Sequence, residues 1–269
     1  IKENQQAWIA VFRLAVGFAS AETPKRGGLV RIAGQWGTIT NNFNPFLASG
    51  QNAPGTRSAL YEPLIFVSVL SGETTPVLAV SYEWKDNLTL IMETREGVTW
   101  SDGTPFTAHD VAFTFNYMKE HPALDLSGIW ANGLSTVTAL DDRTVEFKFE
   151  SPNTPLFQYI AHTLIVPQHI WEQVDDPSAF TNPEPVVTGP FVVGRFTSQA
   201  VTYQRRDDYW VEGKPYVDQV VYQATRSNDS ALLLLLQKEI DYSYLSIPDP
   251  ERAFVARDPE HNHYWWPVT

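Results

Sequence analysis

Residues 84–119, WKDNLTLIMETREGVTWSDGTPFTAHDVAFTFNYMK, decide how the chain folds. They read as a strand, a tight turn, a strand-like corner and a helix. Leu88, Leu90 and Met92 alternate with Thr89, Ile91 and Glu93, the two-residue period of a strand with one face more buried than the other. Glu96-Gly97 breaks that run, and Ser101-Asp102-Gly103 supplies a turn in which Gly103 can take the positive φ that a bulkier residue resists. Thr107 stands as the N-cap of the following helix. Asp110 lies at capping-box spacing from it, although the box proper uses Glu or Gln. Val111, Ala112, Phe115 and Met118 then fall on one helical face.

Working outward, 269 residues allow one large domain or two ordinary ones, and a 43% hydrophobic share is enough to build a sizeable core. Thirty-one acidic against 19 basic residues, a net charge of −12, argue against nucleic acid or an anionic membrane as partner. The absence of cysteine excludes a disulfide frame and thiolate chemistry. Nine Trp, 11 Tyr and 15 Phe supply flat apolar area suited to a core and, in part, to a pocket.

Residues 1–21 read as the remnant of a secretory leader: a mostly apolar run is followed by the small residues Ala19-Ser20-Ala21. An amphipathic helix is the alternative there. With no cysteine at that cleavage site, a lipid anchor is not expected. Gly28-Leu29-Val30-Arg31-Ile32-Ala33 reads as the first strand, 144–149 as an alternating strand and 219–224 as another. A helix is predicted over 154–165, before Pro167. Asn228-Asp229-Ser230 are predicted to cap a helix whose five consecutive leucines, residues 232–236, bury it on most sides. Asp141-Asp142 is a turn and not a catalytic pair, and Arg205-Arg206-Asp207-Asp208 reads as self-neutralising surface charge. The six histidines lack the spacing of a structural zinc site, so neither metal nor cofactor is predicted.

The run from Gly97 to Val111 resembles the signature of the family 5 extracytoplasmic solute-binding proteins, the peptide, nickel and oligosaccharide receptors of ABC importers. Further blocks carry the same resemblance: Asn41-Asn42-Phe43-Asn44-Pro45-Phe46, Leu60-Tyr61-Glu62-Pro63-Leu64, Pro167-Gln168-His169, Thr188-Gly189-Pro190-Phe191 with Phe for Tyr, and Gly213-Lys214-Pro215. Before Glu239-Ile240-Asp241 relatives carry Gly where this chain has Lys238, which leaves the helix without its expected left-handed glycine cap.

The resemblance runs from Gly28 to the end. It implies a mixed α/β fold of the type II periplasmic-binding-protein kind, incomplete: part of domain I (22–60 and 186–269) and all of domain II (61–185), with domain III missing. It further implies a monomeric extracytoplasmic receptor, not an enzyme, which holds a ligand between hinged lobes and delivers it to the transmembrane subunits of an ABC permease. The ligand would be an oligosaccharide or a short oligopeptide. Trp36, Trp130, Tyr244, Trp265 and Trp266 are the candidate stacking rings. Asn42, Ser49, Gly50 and Gln51 are the candidate polar contacts, lying in a segment that meets the ligand in relatives. A secreted carbohydrate-active enzyme with two carboxylates across a cleft, or a carbohydrate-binding module, remains the alternative.

Overall fold

The computed structural model describes residues 24–264 apart from Val69, Leu245 and Pro248, without the side chains of Gln35 and Trp36. The predicted leader and the Trp265-Trp266 pair lie outside the described residues. The strands are β1 (Leu29–Trp36), β2 (Ile65–Val67), β3 (Thr74–Pro76), β4 (Ala79–Asp86), β5 (Thr89–Thr94), β6 (Leu134–Ala139), β7 (Thr144–Phe149), β8 (Phe191–Phe196), β9 (Ala200–Arg205), β10 (Gln219–Thr225) and β11 (Tyr242–Ser243). The helices that matter below are α1 (Ala108–Glu120), α2 (Leu156–His162), α3 (Gln168–Trp171) and α4 (Asn228–Leu236).

The chain divides into two compact units, one of Ile1–Thr40, Val193–Arg205 and Gly213–Thr269, the other of Asn41–Val192 and Arg206–Glu212. Residues 41–60, 186–192 and 206–212, assigned from sequence to the first domain, cluster with the second unit. For 41–60 the reason is local: the Phe43 N–H bonds the Thr181 carbonyl at 2.8 Å, and the Phe46 ring meets Trp171 edge-on at 5.1 Å.

The first unit is built on a five-stranded sheet of order β11-β1-β10-β9-β8. β1 runs parallel to both β10 and β11, while β10 and β9 are antiparallel. Ala33, Ala231, Leu235 and Ile240 form its buried cluster, with Leu234, Ile247 and Phe254 packed against it. The leucine run does not bury α4 on most sides: Leu233 stays 54% exposed. A helix laid on one sheet buries one stripe, whatever its other faces carry. The N-cap is Ser227, not Asn228-Asp229-Ser230, and its hydroxyl accepts the Ser230 N–H at 3.2 Å. At the other end the N–H groups of Lys238 and Glu239 bond the carbonyls of Leu235 and Leu234 at 3.0 and 2.9 Å. That pairing is a Schellman motif, and Lys238 takes the left-handed position itself, at φ 59°.

The second unit carries an antiparallel sheet of order β4-β5-β7-β6 and the small hairpin β2–β3. Leu90, Met92, Val145 and Phe147 are buried, and Phe115 of α1 meets Phe147 edge-on at 5.1 Å. Leu88, placed by its period on the same face, falls in the β4–β5 turn and is 39% exposed. α2 is shorter than the predicted 154–165, because Thr163 turns extended and Leu164 forms a bridge with Pro63.

One carboxylate organises the stretch 97–111. Asp110 Oδ2 accepts the Thr107 N–H at 2.9 Å, completing the capping box with Asp in place of Glu, and also accepts the Trp100 Nε1–H at 3.3 Å. Its Oδ1 takes the Gln168 N–H at 3.0 Å, tying the helix start to α3. Gly103 has the positive φ expected of it, 88°.

Candidate functional site

The polar residues singled out in the sequence share one loop, residues 41–55 of the second unit. Its base is fixed by amide side chains. Asn44 is fully buried; its Nδ2 donates to the Pro177 and Phe180 carbonyls at 2.8 and 2.9 Å, and its Oδ1 accepts the Phe46 N–H at 3.0 Å. Asn52 Nδ2 donates to the Asn44 carbonyl at 3.1 Å, and the Ala53 N–H closes the loop onto the Asn42 carbonyl at 2.7 Å. From outside the loop, Asn182 Nδ2 donates to the Phe43 carbonyl at 3.3 Å and to the Tyr61 hydroxyl at 2.7 Å. Asn182 is itself buried and left-handed, at φ 48°, a conformation Asn tolerates better than most residues.

On this base stands an exposed tip. Ala48, Ser49, Gly50 and Gln51 are all exposed, held by a turn in which the Gln51 N–H bonds the Ala48 carbonyl at 3.0 Å. Among the described residues the Ser49 hydroxyl and the Gln51 amide make no hydrogen bond to the protein. Asn42 commits its Oδ1 to the Asn44 N–H at 3.0 Å, in an Asx turn. The tip thus carries uncommitted side-chain donors and acceptors on a hydrogen-bonded base, which suits recognition of hydroxyls or peptide groups.

A second polar centre lies in the same unit. Glu62 is buried and its carboxylate accepts from the Tyr209 hydroxyl at 2.6 Å and the Trp210 Nε1–H at 3.0 Å. Burial pushes this carboxyl up to about 7, against the pull of those donors and of the Arg206 charge. Arg206 corrects the surface-charge reading: it is 5% exposed and donates to the carbonyls of Val187, Thr99 and Trp100 at 2.8, 3.2 and 3.3 Å, while pairing with Asp208 at 2.9 Å. Arg95 lies over the Trp210 ring at 4.5 Å. Together these contacts fasten Arg206–Glu212 to the second unit. Sequence reasoning missed the burial of Glu62 and Arg206; the available signals were a lone acid after Tyr61 and a charged run leading into Tyr209-Trp210.

The predicted rings are distributed differently. Trp130 belongs to the second unit; its Nε1–H donates to the Phe115 carbonyl at 2.8 Å and the Lys119 ammonium lies 4.3 Å over its ring. No hydrogen bond or ring contact among the described residues joins it to the 41–55 loop. Tyr244 belongs to the first unit, half exposed, with its hydroxyl donating to the Gly34 carbonyl. Trp36 ends β1, its side chain outside the description, as are Trp265 and Trp266 entirely. His169, the residue most open to a metal reading, pairs with Asp102 at 2.7 Å and so joins two of the sequence motifs.

The model for bacterial extracellular solute-binding proteins, family 5 Middle, matches residues 73–265. The chain belongs to this family. Among similar family 5 proteins, the peptide transport periplasmic protein SapA of Salmonella typhimurium is 29% identical, over 89% of this chain and 47% of its own length. The probable peptide-binding protein YejA of Agrobacterium fabrum is 33% identical over 72% of this chain and 32% of its own. The periplasmic oligopeptide-binding protein of Thermotoga maritima, solved with mannohexaose bound, aligns with a TM-score of 0.77 at 29% identity, covering 86% of this chain and 44% of that one. The chain therefore spans less than half the length of these relatives. Among the described residues no helix is long and apolar enough to cross a membrane.

Proposed function

We propose that the protein is an extracytoplasmic substrate-binding protein that captures a short oligopeptide or an oligosaccharide and presents it, as a monomer, to the transmembrane subunits of an ABC permease. The observation that carries this reading is the 41–55 loop, a firmly anchored base with an uncommitted polar tip, in a chain of family 5. Asn42, Ser49, Gly50 and Gln51 are the contacts assigned to the ligand. Trp36, Trp130, Tyr244, Trp265 and Trp266 are the stacking candidates. Family 5 relatives are named for peptide binding and periplasmic location, and the mannohexaose complex supports a sugar as the second ligand class.

Calorimetry on the full-length protein tests this, with di- to pentapeptides in one arm and mannohexaose or cello-oligosaccharides in the other. Saturable heat from one class is expected, and Gln51→Ala should weaken it about fivefold, the loss of one hydrogen bond worth roughly 1 kcal/mol. No heat from either class would contradict the reading.

A further inference from the structure

Residues Arg206–Glu212 form a strap that belongs to the second unit, although the runs on either side of it, Val193–Arg205 and Gly213–Thr269, belong to the first. The strap is fastened in two places by different chemistry. At its start the Arg206 N–H bonds the Pro190 carbonyl at 2.9 Å, and the guanidinium donates to the Val187, Thr99 and Trp100 carbonyls. Further along, Tyr209 and Trp210 make their side-chain hydrogen bonds to Glu62 alone among the described residues, the hydroxyl to Oε1 at 2.6 Å and the indole N–H to Oε2 at 3.0 Å. One buried carboxyl therefore holds that end.

That carboxyl has no cation of its own. The titratable and charged groups facing it among the described residues are Tyr209 and Arg206, with Arg95 over the Trp210 ring. Both arginines are engaged elsewhere. Asp208 clasps Arg206 with both oxygens, Nε donating to Oδ1 at 3.1 Å and Nη2 to Oδ2 at 2.9 Å, and Arg95 Nε donates to the Val77 carbonyl at 2.7 Å. Once ionised, Glu62 is a buried charge that only neutral donors touch, which is a costly state. The neutral acid fits the same geometry. An indole N–H only donates, so Oε2 serves as the carbonyl oxygen; a phenol hydroxyl both donates and accepts, so a proton on Oε1 can pass to the Tyr209 oxygen as donor. Burial accordingly pushes the carboxyl up to about 7.

We propose that Glu62 is a proton-operated latch for the Tyr209–Trp210 end of the strap: with its proton the carboxyl holds both side chains in place, and without it the buried charge draws in water and frees them. The closed strap binds the proton more tightly than a solvated carboxyl does, so closure is strongest below pH 4.5 and weakens as pH rises through 7. The latch involves no ligand and stands apart from the receptor function. The experiment follows the Trp210 indole N–H by NMR in the full-length protein carrying isotope-labelled tryptophan, its signal assigned with Trp210→Phe. Protection of that group against solvent exchange, corrected for the intrinsic rate, should fall about tenfold from pH 6 to pH 8 and level off above 7, as linkage gives for these two pKa values. It should also be insensitive to low urea, as local opening is, whereas amides of β5 respond to urea through global unfolding. Glu62→Gln, which offers Trp210 a carbonyl and Tyr209 an N–H at every pH, should show the same protection at both. The levelling and the urea response are read on the unaltered protein and need no variant to fold. Equal protection at pH 6 and pH 8, a fall that survives Glu62→Gln, or exchange that tracks the β5 amides in urea overturns the latch.

Discussion

Glu62 and His162 are two side chains whose protonation the fold shifts, and they act in opposite directions. The Glu62 carboxyl, ordinarily near 4.5, is raised to about 7 by burial. Between those values the folded protein keeps a proton that the unfolded chain releases, so its stabilising effect is complete below pH 4.5 and is lost as pH rises through 7. The full loss is about 3 kcal/mol, from 1.36 kcal/mol per pKa unit. Glu62→Gln should flatten that slope, and urea unfolding at pH 5 and pH 8 reads it; parallel profiles for variant and unaltered protein would contradict the assignment. His162 works the other way. Its Nε2 accepts the Val67 N–H at 2.9 Å, and partial burial lowers its pKa below the usual 6.5. The unfolded chain takes the proton first, so stability falls as pH drops below 6.5. Protonation turns the acceptor into a donor facing a donor, so the Val67 amide should lose hydrogen-exchange protection on acidification sooner than its neighbours in β2.

Single positions govern how the elements end and meet. Lys238 closes α4 in a left-handed conformation that costs a non-glycine residue about 1 kcal/mol. Lys238→Gly should therefore raise the unfolding free energy by roughly that amount, measured by thermal denaturation, and a lowered midpoint would contradict the cap geometry. Asp110 holds Thr107, Trp100 and Gln168 at once, so Asp110→Ala should cost about 2–4 kcal/mol by stranding buried donors. Gly189 leaves no room for a side chain: a Cβ there would stand 2.8 Å from the Ala59 carbonyl and closer still to that of Leu60. β1, β5, β7 and β10, with α1 and its cap, were legible in the sequence because alternation and capping act within a few residues. The early end of α2, the exposed Leu233 and the burial of Arg206 were not. Each depends on a partner far along the chain, Pro63 for Leu164, a single sheet for α4, and Thr99 and Val187 for Arg206. At the candidate site, the four loop residues were singled out by the family resemblance, whereas the anchoring by Asn44, Asn52 and Asn182 became visible only through the carbonyls they bind.

For the whole molecule, the chain joins family 5 membership to one well-built polar loop, and its proposed work is capture without turnover. The net charge of −12 and the family's extracellular setting fit a solute receptor better than a nucleic-acid or membrane-surface role. The central claim is that the tip of the 41–55 loop touches the ligand. Hydrogen exchange on the full-length protein, with and without the di- to pentapeptides and mannohexaose, tests it most directly. Slower exchange at the Ser49, Gly50 and Gln51 amides on adding whichever ligand gives heat is the predicted result; clear binding heat with exchange at those three amides unchanged would contradict it.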